Sequence, residues 1–184
     1  MASETREVVR FFKEMGLLKQ IQRSGWFTLG FAHGDTVAAH SHRTSIIAYY
    51  LAKRLNANVE KVLLMSIFHD APEARSWDLN KISQTYVIVD DERILKEQLS
   101  AFPEIQVLYK EYAERKTLES KIANDADFLE CTLQAKFYME NNGKMAEEWL
   151  NNASKRMTLD ISKALVKEIA ESPEKWWEGL KRLD

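Results

Sequence analysis

Apolar residues recur every three or four positions along most of the chain, the spacing of one face of an α-helix. Val8, Phe11, Phe12 and Met15 form the first such face, and Gly16 offers a stop. From Val37 to Leu55 a second stripe carries Val37, His40, Thr44, Ile47 and Leu51. A third helix is expected from Val59 to about Ala71, ending before Pro72. Asp91 to Leu99 and Pro103 to Ala113 read as shorter helices. Leu118 to Met139 reads as a long one, closed by Asn141-Asn142-Gly143. Lys144 to about Ser154, Leu159 to Ala170 and a Trp-rich piece from Pro173 complete the series. Between residues 22 and 35 lie three of the six glycines, Gly25, Gly30 and Gly34, which predicts an irregular connection. Thr85 to Val89 is β-branched, but no second strand signal exists to pair with it, so it is expected as loop. The pattern predicts an all-α fold, a single domain over residues 1–184 built as a bundle of about seven to nine helices.

Composition narrows the function. Hydrophobic residues at 45% and charged residues at 29% describe a chain that buries a core. A net charge of -2 provides no global basic field, so a small-molecule substrate is expected and nucleic acid is not. Cys131 is the only cysteine, which excludes an internal disulfide and a cysteine-rich zinc cluster; it reads as a small buried hydrophobe. No apolar run approaches the roughly 18 residues of a membrane span. Met1 to Arg10 is charged and lacks the apolar stretch of a signal peptide, so a cytoplasmic protein is expected, with no membrane partner.

Four residues stand out chemically. His69 and Asp70 are neighbours at the end of an apolar helix, where an aspartate opposes the helix dipole and calls for a compensating cation. His40 occupies an apolar stripe. Asp127 lies inside the long helix, on a face with Ala123, Cys131 and Gln134, where a carboxylate is a poor helix former and costly to bury. Taken singly, each has an ordinary account: a core histidine bonded to a carbonyl, or Asp125 and Asp127 paired with Lys121 or an arginine. Taken together, two His and two Asp from three helices suit one first-row divalent metal ion such as Mn, Co, Ni, Fe or Zn. No histidine follows position 69, which favours a single ion over a pair. His42 faces away from His40, and His33 reads as a surface residue. Glu73 and Asp78, just after the pair, either line the cavity beside the metal or belong to a solvated acidic loop. In Arg23-Ser24-Gly25-Trp26 the arginine offers a fork for a phosphate and the indole a stacking face. Trp149, Trp176 and Trp177 read as core or interface packing.

The order His40, His69-Asp70, Asp127 resembles the HD-domain metal-dependent phosphohydrolases. Arg23-Ser24-Gly25-Trp26, Val37 to His40, His69-Asp70-Ala71-Pro72-Glu73 with Asp78 beyond, and Asp127-Phe128-Leu129-Glu130 resemble more narrowly their 5'-deoxynucleotidase (oxetanocin-like) branch. The likeness spans roughly residues 17 to 140, the metal-binding core, with helices over 144–184 completing the bundle. Relatives usually carry an acidic residue just before the first histidine. Here that place is Ala39, which puts a supporting contact in question but not the ligand itself. The resemblance implies an all-helical core and a homodimer. It assigns the metal to His40, His69, Asp70 and Asp127, catalysis or orientation of the nucleophile to Glu73 and Asp78, the 5'-phosphate to Arg23, and packing near the nucleotide to Trp26. The expected activity is removal of the 5'-phosphate from deoxyribonucleoside 5'-monophosphates. Two rivals are hydrolysis of another nucleotide, a triphosphate or alarmone, and a non-catalytic nucleotide sensor. A longer phosphate chain would need more basic residues than Arg23, Arg43 and Arg75, the obvious ones near the motifs.

Overall fold

The computed structural model describes residues 2–140, 152, 153, 155–173, 175–177 and 180. Among them every regular element is helical; the nearest approach to a sheet is one antiparallel bridge between Gln22 and Thr36. In chain order the helices are α1 (Ala2–Leu17), α2 (Val37–Arg54), α3 (Val59–Phe68), the one-turn α4 (Glu73–Ser76), α5 (Asp91–Gln98), α6 (Pro103–Glu114), α7 (Leu118–Glu140) and α8 (Asp160–Glu171). Most of the helix expected over 144–154, the Asn141-Asn142-Gly143 stop expected for the long helix before it, and Trp149 lie outside the described residues. No described helix is long and apolar enough to cross a membrane.

Local chemistry sets the ends. Thr36 caps α2 by accepting a hydrogen bond from the Ala39 backbone N–H, and Asn58 and Asp90 do the same for α3 and α5. Pro103 opens α6, where its missing N–H costs nothing. The cap of α8 comes from another helix. Asp125, buried in α7, accepts from the N–H groups of Thr158 and Leu159 at 3.0 and 2.9 Å and from the Thr158 hydroxyl at 3.0 Å. Thus Asp125 tethers α8, and only Asp127 of the two aspartates is left for the site.

α7 is the axis of the fold, with α2, α3, α6 and α8 packed around it. Its middle is buried on nearly every face, so Asn124, Asp125, Glu130, Thr132, Gln134 and Lys136 are polar groups inside the protein that require partners. Ala48 and Ala52 of α2 and Ala126 of α7 let the helices approach closely within a core that also holds Leu51, Val62, Ile122, Leu129 and Val166. A second cluster joins α1 to α5 and α6 through Phe11, Leu95, Leu99 and Ile105. Trp176 and Trp177, expected to pack, are 75% and 53% exposed, so neither belongs to the core of the chain.

The segments between helices carry the rest of the site. Residues 22–35 contain a 3-10 helix, Ser24–Leu29, closed by Gly30 at φ 84°. A Cβ on Gly34 would stand 3.0 Å from Cδ1 of Trp26, so the indole needs glycine there. Thr85 ends a short 3-10 turn and the residues after it form no strand, as expected.

Candidate metal centre

α2, α3 and α7 each deliver part of one cluster. His40 comes from the buried face of α2, His69 and Asp70 from the turn that ends α3, and Asp127 from α7. His40 Nε2 and His69 Nε2 face each other at 3.2 Å. Asp127 Oδ1 lies 3.2 and 3.9 Å from them, and Asp70 Oδ2 lies 3.7 and 3.1 Å from them. Four ligands at ~2.0–2.1 Å from an ion stand roughly 3.3 Å apart at tetrahedral corners. The spacing therefore fits one divalent cation.

The histidine tautomers point the same way. His69 Nδ1 donates to the Ser66 carbonyl at 2.9 Å, since a carbonyl only accepts. His40 Nδ1 is bonded to Glu130. Each ring thereby turns a bare Nε2 into the cluster, the orientation that metal-binding histidines adopt. Two lone pairs 3.2 Å apart repel each other unless a cation, proton or metal, lies between them. Protons take that part in the bare protein. Burial and Arg23 disfavour a charged His40, but Asp127 and Glu130 outweigh them and lift its pKa to about 10. Burial opposes charge on His69 too, and Asp70 and Asp127 overcome it. Against the upward push of burial, the histidines hold Asp127 down at about 2, and His69 with Arg23 holds Asp70 well below the usual carboxylate range.

Arg23 reaches the cluster from the connection before α2. Its guanidinium is 2.8 Å from Asp70 Oδ2, 3.8 Å from Asp78 Oδ2 and 3.4 Å from the Cys131 sulfur. The compensating cation that Asp70 requires is thus already partly present. Asp78 fastens the Arg23 segment. It accepts from the Ser24 N–H at 3.0 Å, and its own carbonyl accepts from the Ser24 hydroxyl at 2.7 Å. Burial raises the Asp78 pKa and Arg23 opposes it, with a net rise. Glu73 is different. Its Oε2 is buried with no hydrogen-bond partner among the described residues. Burial, reinforced by Asp70 and Asp78 and opposed by Arg23, pushes its pKa to about 10, so it carries a proton at neutral pH.

Two cavities open on either side of the Asp70–Glu73 wall. One, of about 360 Å3, is lined by Arg23, Lys81 and Arg156 together with Asp78 and Asp127. Trp26 borders it, yet its indole is 2% exposed and packs edge-on against Tyr138. The other, of about 310 Å3, is lined by His69, Trp77, Val87, Val89, Asp91 and Tyr109. Trp77 has φ 63° and ψ 163°, a conformation nearly confined to glycine that costs on the order of 1–3 kcal/mol.

His40, His69, Asp70, Asp127, Arg23, Glu73 and Asp78 come together here, with Trp26 at the margin; His33 and His42 are exposed. Arg43 and Arg75 do not line the cavities. Arg43 holds Glu130 and Gln134, and Arg75 holds Glu14 and Glu97. Sequence reasoning passed over Glu130, Lys81, Arg156, Trp77 and Tyr112, whose hydroxyl donates to Asp127 Oδ2 at 3.2 Å. Only Glu130 gave a usable signal, a charged residue one helical turn beyond Asp127 and set between Leu129 and Cys131.

A family model described as the HD domain matches residues 15–170. A 5'-deoxynucleotidase HDDC2 of Danio rerio is 26% identical over 147 residues, covering 74% of this chain and 72% of its own. A 5'-deoxynucleotidase hdd1 of Schizosaccharomyces pombe is 22% identical over 194 residues, covering 98% of each chain. Among solved structures, a conserved hypothetical protein from Pyrococcus furiosus superposes with a TM-score of 0.77 at 30% identity, covering 89% of this chain and 99% of that one. A predicted metal-dependent phosphohydrolase from Magnetospirillum magnetotacticum shares the fold, with a TM-score of 0.65 at 20% identity over 91% and 93% of the two chains. The match covers most of the sequence and encloses the cluster of His40, His69 and Asp127 with Asp70 beside His69, so this chain belongs to the HD-domain family.

Proposed function

We propose that the protein removes the 5'-phosphate from deoxyribonucleoside 5'-monophosphates, giving deoxynucleoside and inorganic phosphate, with one divalent transition-metal ion. The observation that carries this reading is the two imidazole Nε2 atoms and two carboxylates converging beside an arginine and a buried glutamic acid. Relatives named 5'-deoxynucleotidase support the substrate class.

His40, His69, Asp70 and Asp127 would hold the cation, which would neutralise charge on the phosphoryl oxygens and ease the ionisation of water near neutral pH. The protein's own groups do the rest. Arg23 offers its planar fork to a phosphate oxygen, in the cavity where its charge is reinforced by Lys81 and Arg156. Glu73, neutral at pH 7, gives its proton to the departing 5'-oxygen. Asp78 positions Arg23 and Ser24.

The test is phosphate release from deoxy- and ribonucleoside 5'- and 3'-monophosphates after chelation and re-addition of Mn, Co, Ni, Zn, Fe or Mg. Metal-dependent release confined to 5'-deoxynucleotides and lost in Asp70→Ala is the expected result. Equal rates on dAMP and AMP would remove the deoxyribose selectivity. A second reading, hydrolysis of a triphosphate or alarmone, is favoured by the three cations Arg23, Lys81 and Arg156 in one cavity. Faster release from dATP than from dAMP would establish it. A homodimer belongs to the same reading, supported by the apolar groove that Ile46, Tyr50, Leu133 and Leu165 line; mass in solution tests it.

A further inference from the structure

We infer that Trp77 is the stacking platform for the nucleobase, so that the substrate lies across the Asp70–Glu73 wall with its phosphate in one cavity and its nucleoside in the other. The inference rests on the nucleotide reading above and assigns which end of the substrate goes where.

Three observations carry it. The first is strain without packing. Trp77 occupies a backbone conformation that glycine adopts freely and a side chain resists, yet its ring is 59% exposed. The turn itself is needed: it ends α4 through the Trp77 N–H to the Glu73 carbonyl at 2.9 Å and sends Asp78 toward Ser24. Glycine would make the same turn at less cost, and a ring left in solvent gives the core little in return. A tryptophan kept there acts through its exposed face.

The second is location. Trp77 lies four residues after Glu73 and one before Asp78, and lines the cavity that also touches His69, Asp70 and Glu73. Leu79, Val87, Val89 and Tyr109 supply the apolar part of a lining that is otherwise polar, a mixture that suits a base with a flat face and hydrogen-bonding edges. Trp26, the tryptophan of the Arg23 segment, is buried against Tyr138 and offers a base no open face.

The third is charge. The Trp77 cavity has Asp70, Glu73 and Asp91 on its walls and, among the described residues, neither lysine nor arginine. A phosphate dianion finds no lysine or arginine to pair with there. The neighbouring cavity shares Asp70 and Glu73 and adds Asp78 and Asp127, but of the two it alone holds the cations Arg23, Lys81 and Arg156. Since the two share Asp70 and Glu73, a nucleotide whose phosphorus sits at the metal cluster extends its uncharged end toward Trp77.

The experiment compares wild type, Trp77→Gly and Trp77→Phe on dAMP, dTMP and 2-deoxyribose 5-phosphate, the last being the same ester without a base. Trp77→Gly is expected to raise KM for both nucleotides about tenfold while KM for the sugar phosphate stays within twofold, and Trp77→Phe to recover most of the loss. The Tm of Trp77→Gly is expected to rise, because the strain goes and little packing is lost. Binding is read apart from turnover: deoxyadenosine quenches the part of the fluorescence that Trp77→Gly removes. Equal KM changes on all three esters, unchanged KM for the nucleotides, a lowered Tm, or no quenching each overturns the inference. Should wild type release phosphate from none of the three, the nucleotidase reading falls by itself, and the quenching measurement still decides whether Trp77 binds a base.

Discussion

Glu130 holds Nδ1 of His40 from one helical turn beyond Asp127, so α7 supplies both a candidate metal ligand and the group that orients its partner on α2. Arg43 anchors Glu130 in turn, at 2.7 Å from Nη2 and 3.1 Å from Nε to the same oxygen. Ala39, the residue before His40, is exposed. The carboxylate that supports His40 comes from across the helix interface.

Glu130→Gln keeps the shape and removes the charge. Metal affinity is expected to fall about tenfold or more, since outer partners of metal-binding histidines carry that much. Titration calorimetry of the chelated protein with Mn or Co reads it. Unchanged affinity in a folded variant would show that Glu130 serves packing alone.

The two aspartates of α7 separate cleanly. Asp125→Ala loses the cap of α8 and is expected to cost about 1–2 kcal/mol in urea unfolding with metal affinity intact. Asp127→Ala is expected to abolish metal binding. Loss of metal binding in a folded Asp125→Ala would contradict the division.

Glu73 destabilises the metal-free protein at neutral pH. Its carboxyl keeps a proton up to about 10 when folded, whereas an unfolded glutamate loses it near its ordinary value of 4.5. Between those values the folded state binds more protons, so the contribution of Glu73 to stability declines as pH rises. Glu73→Gln is therefore expected to be more stable than the parent at pH 7, by about 1–3 kcal/mol, and equal to it near pH 4. Urea midpoints at both pH values check this. The same variant should release no phosphate from a nucleotide.

Metal binding displaces protons. His40, lifted to about 10, adds stability to the metal-free protein that is full below the ordinary histidine pKa of 6.5 and disappears as pH rises through about 10. His69 shifts in the same direction. A cation requires both Nε2 atoms bare, so binding at pH 7 is expected to release one to two protons and to weaken as pH falls. Calorimetry in buffers of different ionisation enthalpy counts them. No proton release would mean that the histidines are already neutral.

The helices were legible because their apolar stripes are long and local. α2, α5, α6 and α7 begin where the pattern predicts, and the ends agree to within a residue or so. His40 and Asp127 were legible for the complementary reason, as polar residues on stripes that packing alone would fill with apolar ones. Arg23's pairing with Asp70 spans 47 positions and Glu130's with His40 spans 90; no periodicity reports contacts of that range. Asp70's need for a cation was argued correctly from the helix end, but one cation turned out to be an arginine that had been given only to the substrate. Lys81 and Arg156 belong to segments without a pattern. Trp77 looks like an ordinary loop residue until its backbone angles are known.

Asp125, Asp127, Glu130 and Gln134 all project from one unbroken stretch of α7, toward α8, the metal cluster, His40 and Arg43 in that order. One residue inserted or deleted inside that stretch would turn everything beyond it by about 100° and shift it by about 1.5 Å. The four contacts could then no longer be made together. Change in length among descendants of this chain is thereby confined to the connections, and the interval from 125 to 134 acts as a fixed gauge against which the rest of the protein can drift.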